Sequence, residues 1–157
     1  MIFRLATNLD TKQILQNYES VKDSSFCVWN DLYPTIQDIE DDLKHNNLYV
    51  LEINNEIAGS ISIVNKNELD DLNCWNNSNA KEFARVCIAN KYQHQGYSKY
   101  LVSYCLDEIK NRGYTNVHIS VAINNTPAVK LYESLNFKKV GNADMWGNSY
   151  YLYEKKI

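Results

Sequence analysis

The chain has 157 residues and a mass of 18.3 kDa, the size of one domain built around one hydrophobic core. Hydrophobic residues make up 45% and charged residues 22%, with 5 glycines and 2 prolines, which excludes collagen-like and linker-rich chains. The 16 basic and 19 acidic residues leave a net charge of −3, and the lysines are scattered, which argues against general nucleic-acid binding through phosphate neutralisation.

Residues 2–5 read as a first strand. A helix is expected over 11–21, because Ile14, Leu15 and Tyr18 share one face, with Asp10 as its N-cap. An aromatic connection holding Phe26, Trp29, Tyr33 and Pro34 leads to a second, acidic helix over 35–44 that buries Ile36, Ile39 and Leu43. Residues 48–53 and 56–64 are β-rich and joined by Asn54-Asn55, a pair that tolerates positive φ and predicts a tight antiparallel hairpin. The polar stretch 65–80 reads as a mobile loop, and 82–89 as a fourth strand with Val86 and Ile88 on one face.

A third helix is expected over 96–112, where Leu101, Cys105 and Ile109 form a stripe that Val102 and Leu106 widen, and Gly113 suits its exit. Residues 117–122 form a fifth strand. Thr126 as cap and Pro127 at the first position open a fourth helix, in which Ala128, Leu131, Tyr132 and Leu135 recur, and Asn136 takes the left-handed exit. Strands at 137–140 and 149–153 close the chain around a turn-rich 141–148. The alternation is that of a mixed α/β fold, and with no repeat or linker a single domain spans 1–157.

Mean hydropathy is −0.47, and the most apolar stretch, 57–64, is broken by Gly59, Ser60 and Ser62, far short of the ~20 residues a membrane span needs. The N-terminus lacks the basic region and long apolar core of a secretory signal, so a cytoplasmic protein is expected. Cys27, Cys74, Cys87 and Cys105 form no C-x-x-C pair and have no closely spaced histidine, so reduced, mostly buried thiols are expected. No spacing of His, Cys, Asp or Glu makes a metal ligand set.

Chemistry concentrates at Gln93-His94-Gln95-Gly96-Tyr97-Ser98, between the fourth strand and the third helix. Such a junction turns consecutive backbone N–H groups outward at the positive end of a helix, which suits a diphosphate without lysine or arginine. Gly96 lets the backbone approach a ligand and Ser98 keeps the next crowded position small; alone, a glycine at such a junction more often serves only the turn. No Gly-Lys-Ser/Thr follows, so it is not a P-loop, and the three-glycine dinucleotide fingerprint is missing. One helix and one strand later comes Asn125-Thr126-Pro127-Ala128-Val129-Lys130-Leu131-Tyr132-Glu133-Ser134-Leu135-Asn136-Phe137.

The two clusters together resemble the GNAT superfamily of N-acetyltransferases, whose cofactor motif is Q/R-x-x-G-x-G/A and whose next strand-helix unit reads N-x-x-A-x-x-L-Y-x-x-x-G-F. The resemblance is close over residues 82–137 and extends in element order over nearly the whole chain. Ser98 replaces the final Gly/Ala, and Asn136 replaces the glycine before Phe137.

The resemblance implies a GNAT-like central mixed, mostly antiparallel sheet with a splayed parallel pair, strands four and five, flanked by about four helices. It implies acetyl-coenzyme A between those strands, with the backbone of Val86 and Ile88 against the pantetheine arm. Gln93, His94, Gln95, Gly96, Tyr97 and Ser98 would hold the diphosphate, with Lys99 behind, and Asn125 would bond the cofactor's arm.

Acetyl transfer needs a neutral amine, stabilisation of an oxyanion and a proton for the departing thiolate. Backbone N–H near Ile88 could serve the oxyanion. Tyr132 looks like the family's general acid, since a phenol of reference pKa about 10 can protonate a thiolate, although packing beside Leu131 and Leu135 would also account for it. Glu82 begins the fourth strand in the two-residue alternation of Val86 and Ile88 and is the candidate base, direct or through water, as in similar histone-acetylating members. Its plainer reading is an exposed strand-end carboxylate. His118 is a second candidate base, while His94 meets phosphate or solvent and His45 the surface.

In similar folds the acceptor groove is lined by the first two helices, their connection and the last hairpin. Here those parts carry Phe26, Trp29, Tyr33, Trp146, Tyr150 and Tyr151, with Asp31 as counter-charge. Such rings bind a cationic amine, or else fill core or a dimer contact. The expected activity is N-acetyl transfer to a primary amine of a compact small molecule; a peptide or ribosomal-protein N-terminal acetyltransferase and a non-catalytic acetyl-coenzyme A sensor are the rivals. No nucleic-acid or membrane partner is expected, and homodimer formation stays open.

Overall fold

The structure is a computed structural model and describes residues 1–157. Its elements are β1 Ile2–Leu5, α1 Thr11–Val21, α2 Ile36–Lys44, β2 Leu48–Ile53, β3 Glu56–Ile63, β4 Ala80–Ile88, α3 Tyr97–Asn111, β5 Asn116–Ala122, α4 Thr126–Ser134, β6 Lys138–Met145 and β7 Asn148–Lys156. One-turn 3-10 helices stand at Asn8–Asp10 and Asn90–Tyr92. The seven strands form one sheet in the order β1-β2-β3-β4-β5-β7-β6, antiparallel throughout except for the parallel pair β4-β5. This is the expected mixed, mostly antiparallel sheet with four helices.

The middle of the sheet is buried on both sides, which is why β2 opens with the continuous apolar run Leu48 to Leu51. Leu48 and Val50 pack with Ile14, Tyr18 and Ile39 under α1 and α2, while Tyr49 and Leu51 face Leu101, Cys105 and Ile109 of α3 on the other side. Val129, Leu131 and Leu135 of α4 extend that second core. Asn54 and Asn55, at φ 52° and 62°, make the β2–β3 turn, and Asn136 at φ 62° ends α4 as expected. No helix is long and apolar enough to cross a membrane.

Several expectations are corrected. The last hairpin is longer than its polar sequence indicates, with only Trp146 and Gly147, at φ 50° and 79°, left as the turn. β6 lies at the sheet's edge and is largely solvated, so it needs no apolar alternation. Asn125 rather than Thr126 caps α4, its Oδ1 accepting the Ala128 N–H at 3.2 Å. Asp10 holds the N-cap position of α1 as expected, but its carboxylate bonds no amide of that helix; it turns back to the Thr7 N–H at 2.7 Å and to Arg4 at 2.8 and 2.9 Å.

The fourth strand holds the decisive irregularity. Its pairing to β3 slips between Ser60/Cys87 and Ser62/Ala84, and Arg85 at the bulge adopts φ 53°. The extra residue reverses the side-chain alternation. Phe83 therefore shares the α3 face with Val86 and Ile88, while Glu82 points to the opposite face, contrary to the alternation expected from sequence. β4 and β5 are paired only from Ala80/Asn116 to Glu82/His118 and then part.

Candidate active site

A cavity of about 860 Å³ opens where β4 and β5 part, with Val86 and Ile88 on one wall and Val121 and Ala122 on the other. Beyond Glu82 this edge of β4 has no strand partner. The Ala89 N–H donates to the Ala58 carbonyl of β3 at 2.9 Å, so by strand alternation Ile88 directs its peptide groups the other way, towards the cavity. Consistent with this, the Ile88 carbonyl accepts from Gln93 Nε2 at 3.0 Å.

At the end of β4 the chain enters α3 through His94 at φ 60° and Gly96 at φ 81°, the residue that caps the helix. The first amides of α3 have no intrahelical acceptor, and Tyr97 and Ser98 bring them to the cavity. Gln93 also donates to Asn90 Oδ1 at 3.2 Å, and Gln95 donates to the Lys91 carbonyl at 3.0 Å, so both side chains brace the loop itself. Gln93, His94, Gly96, Tyr97 and Ser98 line the cavity; Gln95 and Lys99 lie outside its wall. An open strand edge leading to a left-handed glycine and a helix N-terminus fits an extended amide chain that ends in a diphosphate. Asn125 also lines the wall, although its Oδ1 is engaged in capping α4.

Tyr132 projects from α4 into the same cavity, its ring centroid 5.9 Å from Phe83 and 5.6 Å from Phe137. Burial pushes its phenol further above the usual tyrosine value, which keeps it protonated near neutrality. Glu82 is 3% exposed, not a solvated strand end. Its two oxygens accept the Glu68 N–H at 2.9 Å and the Leu69 N–H at 2.8 Å. Burial raises its carboxyl to about 7 against the pull of those two amides, with Asp70 and Glu68 adding to the rise.

The second candidate base is placed elsewhere. His118 does not line the cavity; its Nε2 meets Glu154 Oε2 at 2.8 Å, and its ring lies under Trp75 at 3.9 Å and 9°. Burial pulls its pKa down, so the neutral ring donates from Nε2 to the carboxylate. Segment 65–79 has no strand or helix but is bonded down at several points rather than left loose.

Trp29, Tyr33, Trp146 and Tyr150 line the same cavity, as does Phe26. Asp31 is exposed and outside the wall; the acidic groups that do line it are Asp38, Glu68 and Glu82. Sequence reading missed Arg85, which also lines it. Its guanidinium grips the buried Asp42 at 2.7 and 3.0 Å and donates to the Tyr33 hydroxyl at 3.2 Å. The available signal was the spacing of Phe83 and Val86, two apolar residues three apart in a strand that otherwise alternates.

Residues 14–137, most of the chain, match the family described as Acetyltransferase (GNAT) family. The chain belongs to that family. This GNAT protein is an acyltransferase, and acetyl-coenzyme A is the acetyl donor of the family. Among curated proteins it is 33% identical over 54 residues to the [ribosomal protein bS18]-alanine N-acetyltransferase of Escherichia coli K12, a match covering 34% of this chain and 36% of the relative. The ribosomal-protein-alanine N-acetyltransferase of Brucella melitensis has the same fold at a TM-score of 0.80 and 16% identity, with both chains covered fully. An N-acetyltransferase of Staphylococcus aureus Mu50 aligns at 0.78 and 19%, covering 99% of this chain and 97% of its own. A Salmonella typhimurium structure with its cofactor acetyl-CoA aligns at 0.79 and 18%, covering 99% and 93%. These structural likenesses establish the fold.

Proposed function

We propose that this GNAT enzyme transfers the acetyl group of acetyl-coenzyme A to the primary amine of a compact acceptor, with Glu82 taking the amine proton and Tyr132 supplying the thiolate proton. The observation that carries this reading is that both side chains line one cavity at the parting of β4 and β5, next to the open strand edge and the α3 N-terminus. The donor supplies a thioester, whose acyl group is transferred and whose sulfur leaves. The β4 edge at Val86 and Ile88 would hold the pantetheine arm, with the Ile88 N–H near the acyl oxygen, and the amides of Gly96, Tyr97 and Ser98 would hold the diphosphate. Lys99 and Gln95 then act from behind the loop.

A carboxyl that titrates near 7 is matched to taking a proton from an ammonium at neutral pH, directly or through a water. Glu82 would take one proton of the ammonium and the freed nitrogen lone pair would form the new amide; Tyr132 would give its phenolic proton to the departing sulfur and recover the second proton that the nitrogen sheds, so that both nitrogen protons are placed. Asp38 and Glu68, with the rings of Trp29, Tyr33, Trp146 and Tyr150, favour an acceptor that arrives as a cation. A second reading, an α-amine at a protein N-terminus, is favoured by the ribosomal-protein-alanine acetyltransferases among the relatives.

Thiol release measured over a panel of small amines and of peptides beginning with alanine separates the two. Turnover of the small amines supports the compact acceptor, and turnover confined to peptides replaces it with the second reading. Saturable binding of acetyl-coenzyme A without thiol release from any amine would leave a sensor.

A further inference from the structure

Behind the catalytic carboxylate lies a chain of contacts that no step of the reaction uses. His118 stands in register with Glu82 on one side and Glu154 on the other, so three ionisable side chains form a row across β4, β5 and β7. All three are buried, at 3%, 2% and 9% exposure. No helix covers this row; residues 65–79 do. Asn76 N–H donates to Glu154 Oε2 at 3.1 Å, the Trp75 indole lies flat on His118, and Trp75 Nε1 donates to the Leu69 carbonyl at 2.8 Å. The N–H of that same Leu69, with its neighbour's, is bonded to Glu82.

We propose that Trp75 and His118 are positioning residues for Glu82: the indole, seated on the buried imidazole, holds Leu69 so that two backbone amides stay aimed at the two oxygens of the carboxylate. This rests on Glu82 being the proton acceptor.

The physical consequence follows from what surrounds Glu82. Glu68 and Asp70 of the covering segment disfavour its charge, as burial does; Lys81 of its own strand, whose ammonium is tied to the Asn65 carbonyl at 2.9 Å, favours it. His118, neutral and committed to Glu154, adds no charge at neutrality. The two amides are thus the strongest groups that hold the charged form, and they stay in place only while the segment is anchored. Without them the carboxylate would keep its proton to higher pH and lose a fixed orientation in the cavity.

The test is the titration of Glu82 followed by carbon-13 NMR of labelled glutamate carboxyls, assigned with Glu82→Gln, in wild type, Trp75→Phe and Trp75→Ala. Trp75→Phe keeps a ring on His118 and removes only the donor to Leu69, so it preserves the fold if the alanine variant does not. The Glu82 midpoint is expected to rise by about half to one pH unit in Trp75→Phe and further in Trp75→Ala. The acidic limb of kcat/KM should rise with it, while acetyl-coenzyme A affinity stays within about twofold. Loss of plateau rate with the midpoint unmoved in the folded variants overturns the proposal. A midpoint that moves while the acidic limb does not upholds the positioning of Glu82 and removes its role as base.

Discussion

Glu82 and Tyr132 feel the same burial, with opposite consequences for the proton roles proposed for them. Burial disfavours the charged form of both, which leaves a phenol that keeps its proton and a carboxyl raised to about 7. Tyr132→Phe should lower kcat by about 10²–10³-fold, the usual contribution of a general acid, with acetyl-coenzyme A affinity retained in a binding titration. With Glu82 as the proposed proton acceptor the active form is the carboxylate, so kcat/KM should rise with pH through about 7, and Glu82→Gln should abolish that limb. Stability carries the opposite sign. Because the folded value lies above the ordinary 4.5, the folded state binds the proton more tightly, and this group's contribution is greatest below pH 4.5 and declines up to about 7. Chemical denaturation of wild type and Glu82→Gln at pH 5 and pH 8 checks this: wild type should lose stability relative to the variant at the higher pH.

The elements differ in how strongly their sequences speak. Helices and the β2–β3 hairpin are legible from apolar spacing and from asparagines at left-handed positions, because those signals are local. The bulge in β4 is not local: it exists because Arg85 is held by Asp42 of α2 and Tyr33 of the α1–α2 connection, residues 43 and 52 positions away. It also moves Glu82 to the face where segment 65–79 can bond it, a displacement whose one local trace is the three-residue spacing of Phe83 and Val86. The neighbouring strand must stay close for this, and Gly59 permits it. A Cβ there would lie 2.6 Å from Ile88 Cδ1 and 2.7 Å from the Cys87 carbonyl oxygen. Gly59→Ala should therefore cost about 1–3 kcal/mol in urea unfolding and weaken acetyl-coenzyme A binding, since Ile88 is its register partner. At α4, Asn125→Ala removes the cap and should cost about 1 kcal/mol in the same assay.

For the molecule as a whole, the buried Arg85–Asp42 pair joins α2 to the cavity. Arg85→Ala leaves Asp42, which is 3% exposed, without its counter-ion and should destabilise the protein by about 3–5 kcal/mol in thermal or urea unfolding, because an unpaired buried charge costs more than the pair contributes. Acetyl-coenzyme A should raise the melting temperature saturably, as any ligand confined to the folded state must.

Periodicity, turn chemistry and motif spacing are properties of neighbouring residues, and they made legible the mixed α/β class, the order of the elements, and the glycine-turn and Asn-to-Phe clusters of the GNAT family. The folded sheet was needed to bury Glu82 under backbone amides, to turn His118 to Glu154 and Trp75 instead of the cavity, to leave Asp31 outside the wall, and to bring Arg85 into it. The partners of His118 and Arg85 lie 36 and 43 positions away, and the burial and hydrogen bonding that assign a polar side chain its role arise only when the sheet brings such partners together.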